Sequence, residues 1–180
     1  MGTKFVISSL SASGKTTLVN ALLEKHPELY RLKTCTTRPV RPEEKGDEYY
    51  FMDKHDMELR ILGDEFVEHS VVYGNTYGLS HAEVNNNADK NVMVILDVQG
   101  MKTFKKSYPD AVTIFIEPPP VAELVDRLKA RNTSDEDVHK RVNEFRGELK
   151  LMKKYDVIVS HGTLDKMTKD FIEIIEQRLT

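Results

Sequence analysis

A run of small side chains, followed by one lysine and two threonines, stands near the start of the chain. Residues 8–17 read SSLSASGKTT and come directly after the apolar residues 5–7. A strand, a loop of small residues, Gly-Lys-Thr and a helix in this order are typical of a P-loop, whose backbone N–H groups surround a phosphate. The helix that begins there adds the positive end of its dipole. We therefore expect an anion site formed by Ser11, Ala12, Ser13, Gly14, Lys15, Thr16 and Thr17.

Two side chains of this loop have separate chemical tasks. Lys15 can reach the outer phosphates of a nucleotide, and the hydroxyl of Thr16 can hold Mg²⁺. The pattern has glycine at position 9, where this chain has Ser9. Either Ser9 adopts a backbone conformation that glycine takes more easily, or the loop opens differently. The alternative to phosphate binding is a serine-rich turn, but the flanking strand and helix favour the phosphate site.

Two arginines, Arg38 and Arg41, lie three residues apart in a segment that contains two prolines. Together they offer two guanidinium groups to one phosphate, and Tyr49 can add a hydroxyl donor. The alternative is a solvated arginine-rich loop. The prolines argue against it because they fix the backbone that carries both arginines, which the neighbouring glutamates would otherwise neutralise.

An acidic residue, Asp97, stands at the end of the apolar run 91–98. Ligands of open parallel sheets lie at the carboxyl ends of the strands, where the P-loop also falls. Asp97 is therefore placed either to organise Mg²⁺ through water or to hold the acceptor. The alternative is an acidic residue that only caps the strand end.

A third group of cations lies in the charged segment 121–154. Arg127 and Arg131 are four residues apart and share a helix face, and Arg141 follows them. Like charges on one face repel each other unless an anion lies between them, and a transferring phosphoryl group is such an anion. The alternative is a solvated helix face.

The composition bounds the protein class. The chain has 180 residues, 39% hydrophobic and 31% charged, with a net charge of −3. This predicts one domain with a buried core and no general affinity for nucleic acid or membranes. A single cysteine, Cys35, excludes an internal disulfide framework and favours a cytoplasmic protein. We expect no signal peptide, and no apolar run is long enough to span a membrane.

Buried strands that alternate with helices predict an α/β protein with a parallel sheet covered on both faces. We predict sheet strands at 4–10, 91–98, 111–117 and 156–160, with room for one more. Between them we predict helices at 15–26, 53–62, 79–88 and 164–179, and a helical segment at 121–154 that breaks near 132–134. We expect short antiparallel strands and turns at 32–53, a strand at 65–73 and a turn at 74–75.

These motifs, taken in order, resemble those of the guanylate kinase family. The likeness runs from the N-terminus to the last helix and rests on TTRPVR at 36–41, GDEY at 46–49, FVE at 66–68, GNTYG at 74–78 and DVQG at 97–100. The resemblance implies the P-loop nucleoside monophosphate kinase fold, with a core (1–31, 87–120 and 155–180), a GMP-binding lobe (32–86) and a lid (121–154).

The resemblance also implies a reaction and its ligands. The reaction is ATP + GMP ⇌ ADP + GDP, by direct in-line transfer with Mg²⁺ and with dGMP as a further acceptor. Glu68 matches the glutamate that reads guanine, whose N1–H and 2-amino group are two adjacent donors that adenine lacks. Arg38, Arg41, Tyr49 and Tyr77 would hold the GMP phosphate, and Thr34 would lie near guanine O6. Catalytic roles would fall to Lys15, Arg38, Asp97, Arg127, Arg131 and Arg141.

The chain departs from the family pattern at a few positions. Leu79 stands where the family has Ser or Thr, and whether Ser80 replaces that contact is open. Asn132 replaces a glycine, and residues 160–162 replace the Asn-Asp expected near the adenine. Two rival functions remain, an interaction module that binds phosphorylated peptides and a P-loop kinase with another acceptor. The assembly is expected to be a monomer or a homodimer.

Overall fold

The computed structural model describes residues 2–10, 13–42, 44–46, 48–130 and 134–179, with the side chains at 144, 146 and 148 left aside. The helices α1 to α7 span Lys15–Lys25, Lys54–Leu62, His81–Asn85, Val98–Ser107, Val121–Ala130, Asp135–Leu149 and Leu164–Glu176. The strands β1 to β9 span Lys4–Ser9, Tyr30–Arg31, Cys35–Thr36, Tyr50–Phe51, Phe66–Val72, Asn75–Ser80, Val92–Ile95, Val112–Ile116 and Val157–Val159.

The larger sheet has five strands in the order β2-β7-β1-β8-β9. Strand β2 pairs parallel with β7, and β8 pairs parallel with β9. This confirms the predicted α/β fold with a parallel sheet, and β2 is the strand that the prediction left open. Both faces of this sheet are buried, as is usual for parallel sheets, and its strands are rich in fully buried residues such as Val6, Ile7 and Phe115.

The chain divides into two compact units. The first unit consists of residues 1–6 and 28–111, and the second of residues 7–27 and 112–180. The predicted acceptor residues, from Thr34 to Asp97, fall in the first unit. The P-loop and the predicted lid fall in the second.

The first unit contains a second sheet, with the strand order β4-β3-β6-β5. The prediction of antiparallel pairing in this region is wrong for β3 and β4, which run parallel with Cys35 opposite Tyr50. The 13-residue connection between these two short strands is long enough for a parallel pair, whereas a tight turn would enforce an antiparallel one.

Strands β5 and β6 form a hairpin whose turn is one residue earlier than predicted. Val72 pairs with Asn75, so the two turn residues are Tyr73 and Gly74, both with positive φ (50° and 76°). Positive φ at both positions matches the right-handed twist of the strands. Strand β6 then continues to Ser80, so the helix predicted from residue 79 begins only at His81.

Helix α4 was missed, and the strand predicted to end at residue 98 ends at Ile95. The apolar run continues through Val98, which is already the first residue of α4. Val98, Met101 and Phe104 are buried at helical spacing. A short apolar run by itself does not distinguish a strand from the start of a buried helix.

The second unit packs α1 on α7 and α5 on α6. Leu18 and Leu22 of α1 and Phe171 of α7 are fully buried. The hydroxyl of Ser134 accepts the N–H of Asp137 at 3.2 Å, as expected for the N-cap of α6. Among the helices in the described part of the chain, none is long and apolar enough to cross a membrane.

Candidate active site

The P-loop segment joins β1 to α1 in the second unit. Gly14, directly before α1, has φ +81° and ψ 10°, a left-handed conformation that favours glycine. The buried hydroxyl of Ser13 donates to the carbonyl of Leu10 at 2.9 Å. Ser9 is the last residue of β1 and is absent from the described residues with positive φ, so the first of the two alternatives stated for Ser9 is wrong. Ser11 and Ala12 lie outside the described residues.

The ammonium group of Lys15 lies over the carbonyls of its own loop. Its Nζ donates to the carbonyl oxygens of Ser9 and Leu10 at 2.8 and 2.9 Å. Thr16 and Thr17 are exposed in the first turn of α1, which carries no acidic side chain. A cation and an uncompensated helix N-terminus therefore stand together, which favours an anion at this position.

In the first unit, Glu68 of β5 is a buried carboxyl group. Glu68 is only 2% exposed to solvent. Its Oε1 has no hydrogen-bond partner among the described atoms. Burial, together with the negative charge of Asp97, raises the pKa of Glu68 to about 8, against a smaller lowering by a hydrogen bond from the Leu79 backbone. An unpaired buried acceptor is costly, so this oxygen is ready for donors that the protein itself does not supply.

A β-bulge sets the direction of this carboxyl group. The pairing of β5 with β6 shifts between Phe66, opposite Ser80, and Glu68, opposite Leu79. Phe66 packs with Cys35 and Met57, whereas Glu68 lies against Gly100 of α4. The bulge thus allows two residues that would share a face of a regular strand to contact different elements.

Asp97 uses both carboxylate oxygens inside the protein. Oδ1 accepts the backbone N–H groups of Gln99 and Gly100 at 2.7 and 3.1 Å, which makes Asp97 the N-cap of α4. Oδ2 accepts the hydroxyl of Ser70. Asp97 therefore caps helix α4, whereas the alternative stated for it was a cap of the strand end. Sequence reasoning missed Ser70, although its position two residues after Glu68 places both on one strand face.

Arg38 lies among aromatic rings. Its guanidinium carbon is 5.4 Å from the ring centre of Tyr49 and 5.6 Å from that of Phe51, and Tyr49 meets Tyr77 edge-on at 6.2 Å. These contacts bring Arg38, Tyr49 and Tyr77 into one cluster, and the assignment of this cluster to a phosphate stays a prediction. Arg41 is exposed.

An acidic residue that the prediction treated only as a neighbour, Glu44, completes this cluster. Its carboxylate forms an ion pair with Arg38 at 2.7 Å and accepts the backbone N–H of Arg41 at 2.8 Å. Burial alone would raise the pKa of Glu44, but the hydrogen bonds from Arg38 and Arg41 outweigh it and lower that pKa. Arg38 is thus neutralised by a glutamate in spite of the rigid loop, contrary to the sequence argument.

The two hydroxyl residues predicted near guanine have different surroundings. Thr34 is buried, and its carbonyl accepts the N–H of Tyr50 at 3.0 Å. The hydroxyl of Ser80 accepts the N–H of Glu83 at 3.2 Å and caps α3. The acceptor capacity of Ser80 is therefore partly used by the helix that follows it.

The lid arginines lie on α5 and α6. The guanidinium of Arg127 is paired with Glu123, one helical turn earlier. Arg141 belongs to α6, whereas Arg131 lies outside the described residues.

Glu123 also lies 3.5 Å from Nε2 of His161, in the loop that departs from the family pattern. The backbone N–H of His161 donates to the carboxylate of Glu117 at 3.0 Å.

A sequence profile described as "Guanylate kinase" matches residues 1–178. The chain belongs to the guanylate kinase family. It is 38% identical to the "Guanylate kinase" of Vibrio vulnificus strain YJ016 over 97% of this chain and 87% of that protein. It is 39% identical to the "Guanylate kinase" of Neisseria gonorrhoeae, with the same shares of the two chains covered. A crystal structure of guanylate kinase from Anaplasma phagocytophilum matches with a TM-score of 0.78, 26% identity and coverage of 99% and 87%.

The family is one of nucleoside monophosphate kinases, which are phosphotransferases. In this member of the guanylate kinase family, the structure brings Glu68 close to Asp97, and Arg38 close to Tyr49 and Tyr77. In the described ranges, no group of three or more His, Cys, Asp or Glu side chains could hold a metal ion. Sequence reasoning assigned no role of their own to Glu44, Ser70, Gly100 and Glu123.

Proposed function

We propose that the chain transfers the terminal phosphoryl group of ATP directly and in line to GMP, or to dGMP, to give ADP and the nucleoside diphosphate. Membership in the guanylate kinase family supports GMP as the acceptor. The observation that carries the proposal is the buried carboxyl group of Glu68, whose Oε1 has no hydrogen-bond partner in the part of the chain that the structure describes. Guanine offers two adjacent donors to such a group, whereas adenine would leave it unpaired.

The phosphate of GMP would bind at the cluster of Arg38, Tyr49 and Tyr77, with Arg41 as a second cation. An arginine that already lies against aromatic rings loses little conformational freedom when it binds a phosphate. The exposed guanidinium of Arg41 is free to approach from solvent without leaving a packed position. Thr34 would face guanine O6, and Ser80 could still donate its hydroxyl hydrogen while it caps α3.

The phosphates of ATP would bind at the loop from Ser11 to Thr17, with Lys15 on the outer phosphates. The nucleotide would take over the hydrogen bonds that Lys15 now gives to the carbonyls of Ser9 and Leu10. The exposed hydroxyl of Thr16 fits Mg²⁺, because this ion is commonly held by few protein groups together with phosphates and water. When bound, Mg²⁺ neutralises charge on the phosphates.

The remaining residues would act around the transferring group. Asp97 would hold the N-terminus of α4 beside Glu68, and it would also contact GMP or hydrated Mg²⁺. Arg127, Arg131 and Arg141 would stabilise the charge of the transferring phosphoryl group. Arg127 would give up its ion pair with Glu123 and bind the transferring phosphoryl group instead. In this scheme residues 32–86 form the GMP lobe, 121–154 the lid, and 1–31, 87–120 and 155–180 the core.

With a single cysteine the chain has no internal disulfide, which is typical of proteins in a reducing compartment, and we place the enzyme in the cytoplasm, where it would serve purine nucleotide metabolism.

A coupled assay of ADP release tests this proposal. The protein is given ATP and Mg²⁺ with GMP, dGMP, AMP, CMP or UMP in turn. We expect turnover with GMP and dGMP that exceeds turnover with the other three by at least about 10³-fold, because an unmatched polar site rejects the wrong base. Turnover with another base at a similar rate would overturn the acceptor assignment. Absence of turnover together with absence of ATP binding in a titration would point to an interaction module.

A further inference from the structure

Gly100 occupies a place where a helix gains nothing from glycine. It is the third residue of α4, directly after the N-cap region, and it is not among the described glycines with positive φ. Its N–H donates to Asp97, which the backbone of any residue except proline could do. Glycine is among the least favourable residues inside a helix, because it loses the most backbone freedom on folding.

The space at Gly100 is taken by the carboxyl group of Glu68. A Cβ at position 100 would lie 2.4 Å from Oε2 and 3.1 Å from Cδ of Glu68, and 3.4 Å from the Cβ of Leu96. Ordinary van der Waals contact begins at 3.4 Å. An alanine here would therefore have to push the carboxyl group away by about 1 Å.

The carboxyl group has little room to give way. Glu68 is 2% exposed, and the backbone of Leu79 hydrogen-bonds to it. The charged group that faces it is Asp97, whose oxygens are fixed by Gly100, Gln99 and Ser70. Displacement toward Asp97 would press the carboxyl group against oxygens that already accept three hydrogen bonds, so an added Cβ has to change where Glu68 presents its own oxygens.

From this contact we propose that Gly100 is a positioning residue for guanine recognition, because its missing side chain sets the depth at which Glu68 presents its oxygens. This inference rests on the proposed function of Glu68. Good hydrogen bonds from the two guanine donors require N···O distances of 2.7–3.2 Å. A shift of about 1 Å is larger than this range, so one or both hydrogen bonds would be lost.

The test compares Gly100→Ala with a matched glycine of the same chain. Gly147 is exposed in α6, and a Cβ there would meet no described atom within 4 Å. Each variant is assayed with GMP and with IMP, which lacks the 2-amino group, and binding of both nucleotides is measured by calorimetry. We expect Gly100→Ala to lower the preference for GMP over IMP by about 10-fold or more, mainly through KM. Gly147→Ala should keep the wild-type preference.

A second pair of variants separates positioning from simple packing. In a protein that carries Glu68→Ala, the carboxyl group is absent. Adding Gly100→Ala to that protein should leave the nucleotide preference unchanged. It should also raise the melting temperature, because alanine is more favourable than glycine inside a helix. In the Glu68 background the same change should lower the melting temperature. A glycine required only for packing would lower it in both backgrounds, or would prevent folding in both, and either result overturns the inference.

The inference and the proposed function fail in different ways. A wild-type protein that neither binds nor phosphorylates GMP refutes the function, whereas the melting comparison still reports the contact between Gly100 and Glu68. A Gly100→Ala protein that folds and keeps the full GMP preference refutes the inference and leaves the function intact. If only the double variant folds, the contact is supported.

Discussion

The guanidinium of Arg38 binds the carboxylate of Glu44 through both of its terminal nitrogens. Nη1 donates to Oε2 at 3.0 Å and Nη2 donates to Oε1 at 2.7 Å. The two side chains are only 10% and 13% exposed. Bidentate geometry away from water makes this ion pair strong, and it fixes the orientation of the Arg38 guanidinium.

We expect Glu44→Ala to destabilise the protein by about 3 kcal/mol, because it leaves the largely buried charge of Arg38 without its partner. GMP should restore part of this loss, since its phosphate supplies a new partner. The KM for GMP should rise more than kcat falls, because the change disorders a binding group. Denaturant unfolding with and without GMP measures the two changes in stability. Steady-state kinetics measure the changes in KM and kcat.

An exposed glutamate provides the control for Glu44. Glu173 is paired with Lys169 at 3.9 Å, and their side chains are 53% and 75% exposed. Glu173→Ala should change stability by less than about 1 kcal/mol and leave both kinetic constants unchanged. Equal effects of the two substitutions would contradict the role assigned to Glu44.

The stability of the protein should depend on pH through Glu68. Its pKa of about 8 in the folded protein lies above the ordinary value of 4.5, so folding takes up a proton between these two values. The free energy of unfolding attributable to Glu68 should therefore fall as pH rises from about 4.5 to about 8, by at most about 1.4 kcal/mol per pH unit. Glu68→Gln should remove this slope, because the amide does not titrate. Identical pH profiles of the two proteins would contradict the prediction.

GMP binding should release a proton from Glu68. The carboxyl group has to be ionised to accept both guanine donors, and its raised pKa keeps it protonated at neutral pH. The Kd for GMP should accordingly decrease from pH 6.5 to 8 by up to about tenfold per unit, and the decrease attributable to Glu68 should be missing in Glu68→Gln. Calorimetry in buffers of different ionisation enthalpy counts the released protons, and a count of zero at pH 7 would refute this linkage.

Lys15→Met should reduce kcat by about 10²-fold or more while the Kd for GMP changes little. The reason is that Lys15 belongs to the loop assigned to ATP, and its charge is needed most when the phosphoryl group is transferred. Lys25→Met is the control on the same helix, because Lys25 pairs only on the protein surface with Glu176 at 2.7 Å. A Lys15→Met enzyme with full turnover would refute the assignment.

Arg127→Ala should reduce kcat by about 10²-fold with little loss of stability. Its ion pair with Glu123 is about two-fifths exposed on both sides and so contributes little to folding, whereas the proposed charge on the transferring group is its main partner in catalysis. Lys129→Ala removes an exposed cation from the same helix and serves as the control. Similar kinetics of the two variants would show that α5 is merely a charged surface.

Local patterns in the sequence predicted those features that depend on neighbouring residues. The P-loop segment was predicted from the order of strand, loop and helix, and its Gly14 has the left-handed backbone that this turn needs. Asp53 and Ser134 are of residue types that favour N-cap positions, and they accept the N–H groups of Asp56 and Asp137. The parallel sheet followed from the alternation of buried strands and helices.

Features that depend on how the chain folds back on itself were not predictable in this way. The pairing of Arg38 with Glu44 depends on the path of a loop, and the parallel pairing of Cys35 with Tyr50 depends on which strands lie side by side. Helix α4 was missed because Val98 extends an apolar run that also suits a strand.

The sequence by itself determined which residue types the candidate site offers, namely a P-loop motif, two groups of arginines and the glutamate that the family resemblance assigns to guanine. Only the tertiary structure decided where that glutamate points, because a β-bulge directs Glu68 to α4 and a glycine there leaves room for it. The physical reason is that side-chain types are local properties of the chain. The direction and protonation of a buried carboxyl group, by contrast, depend on every element that packs against it.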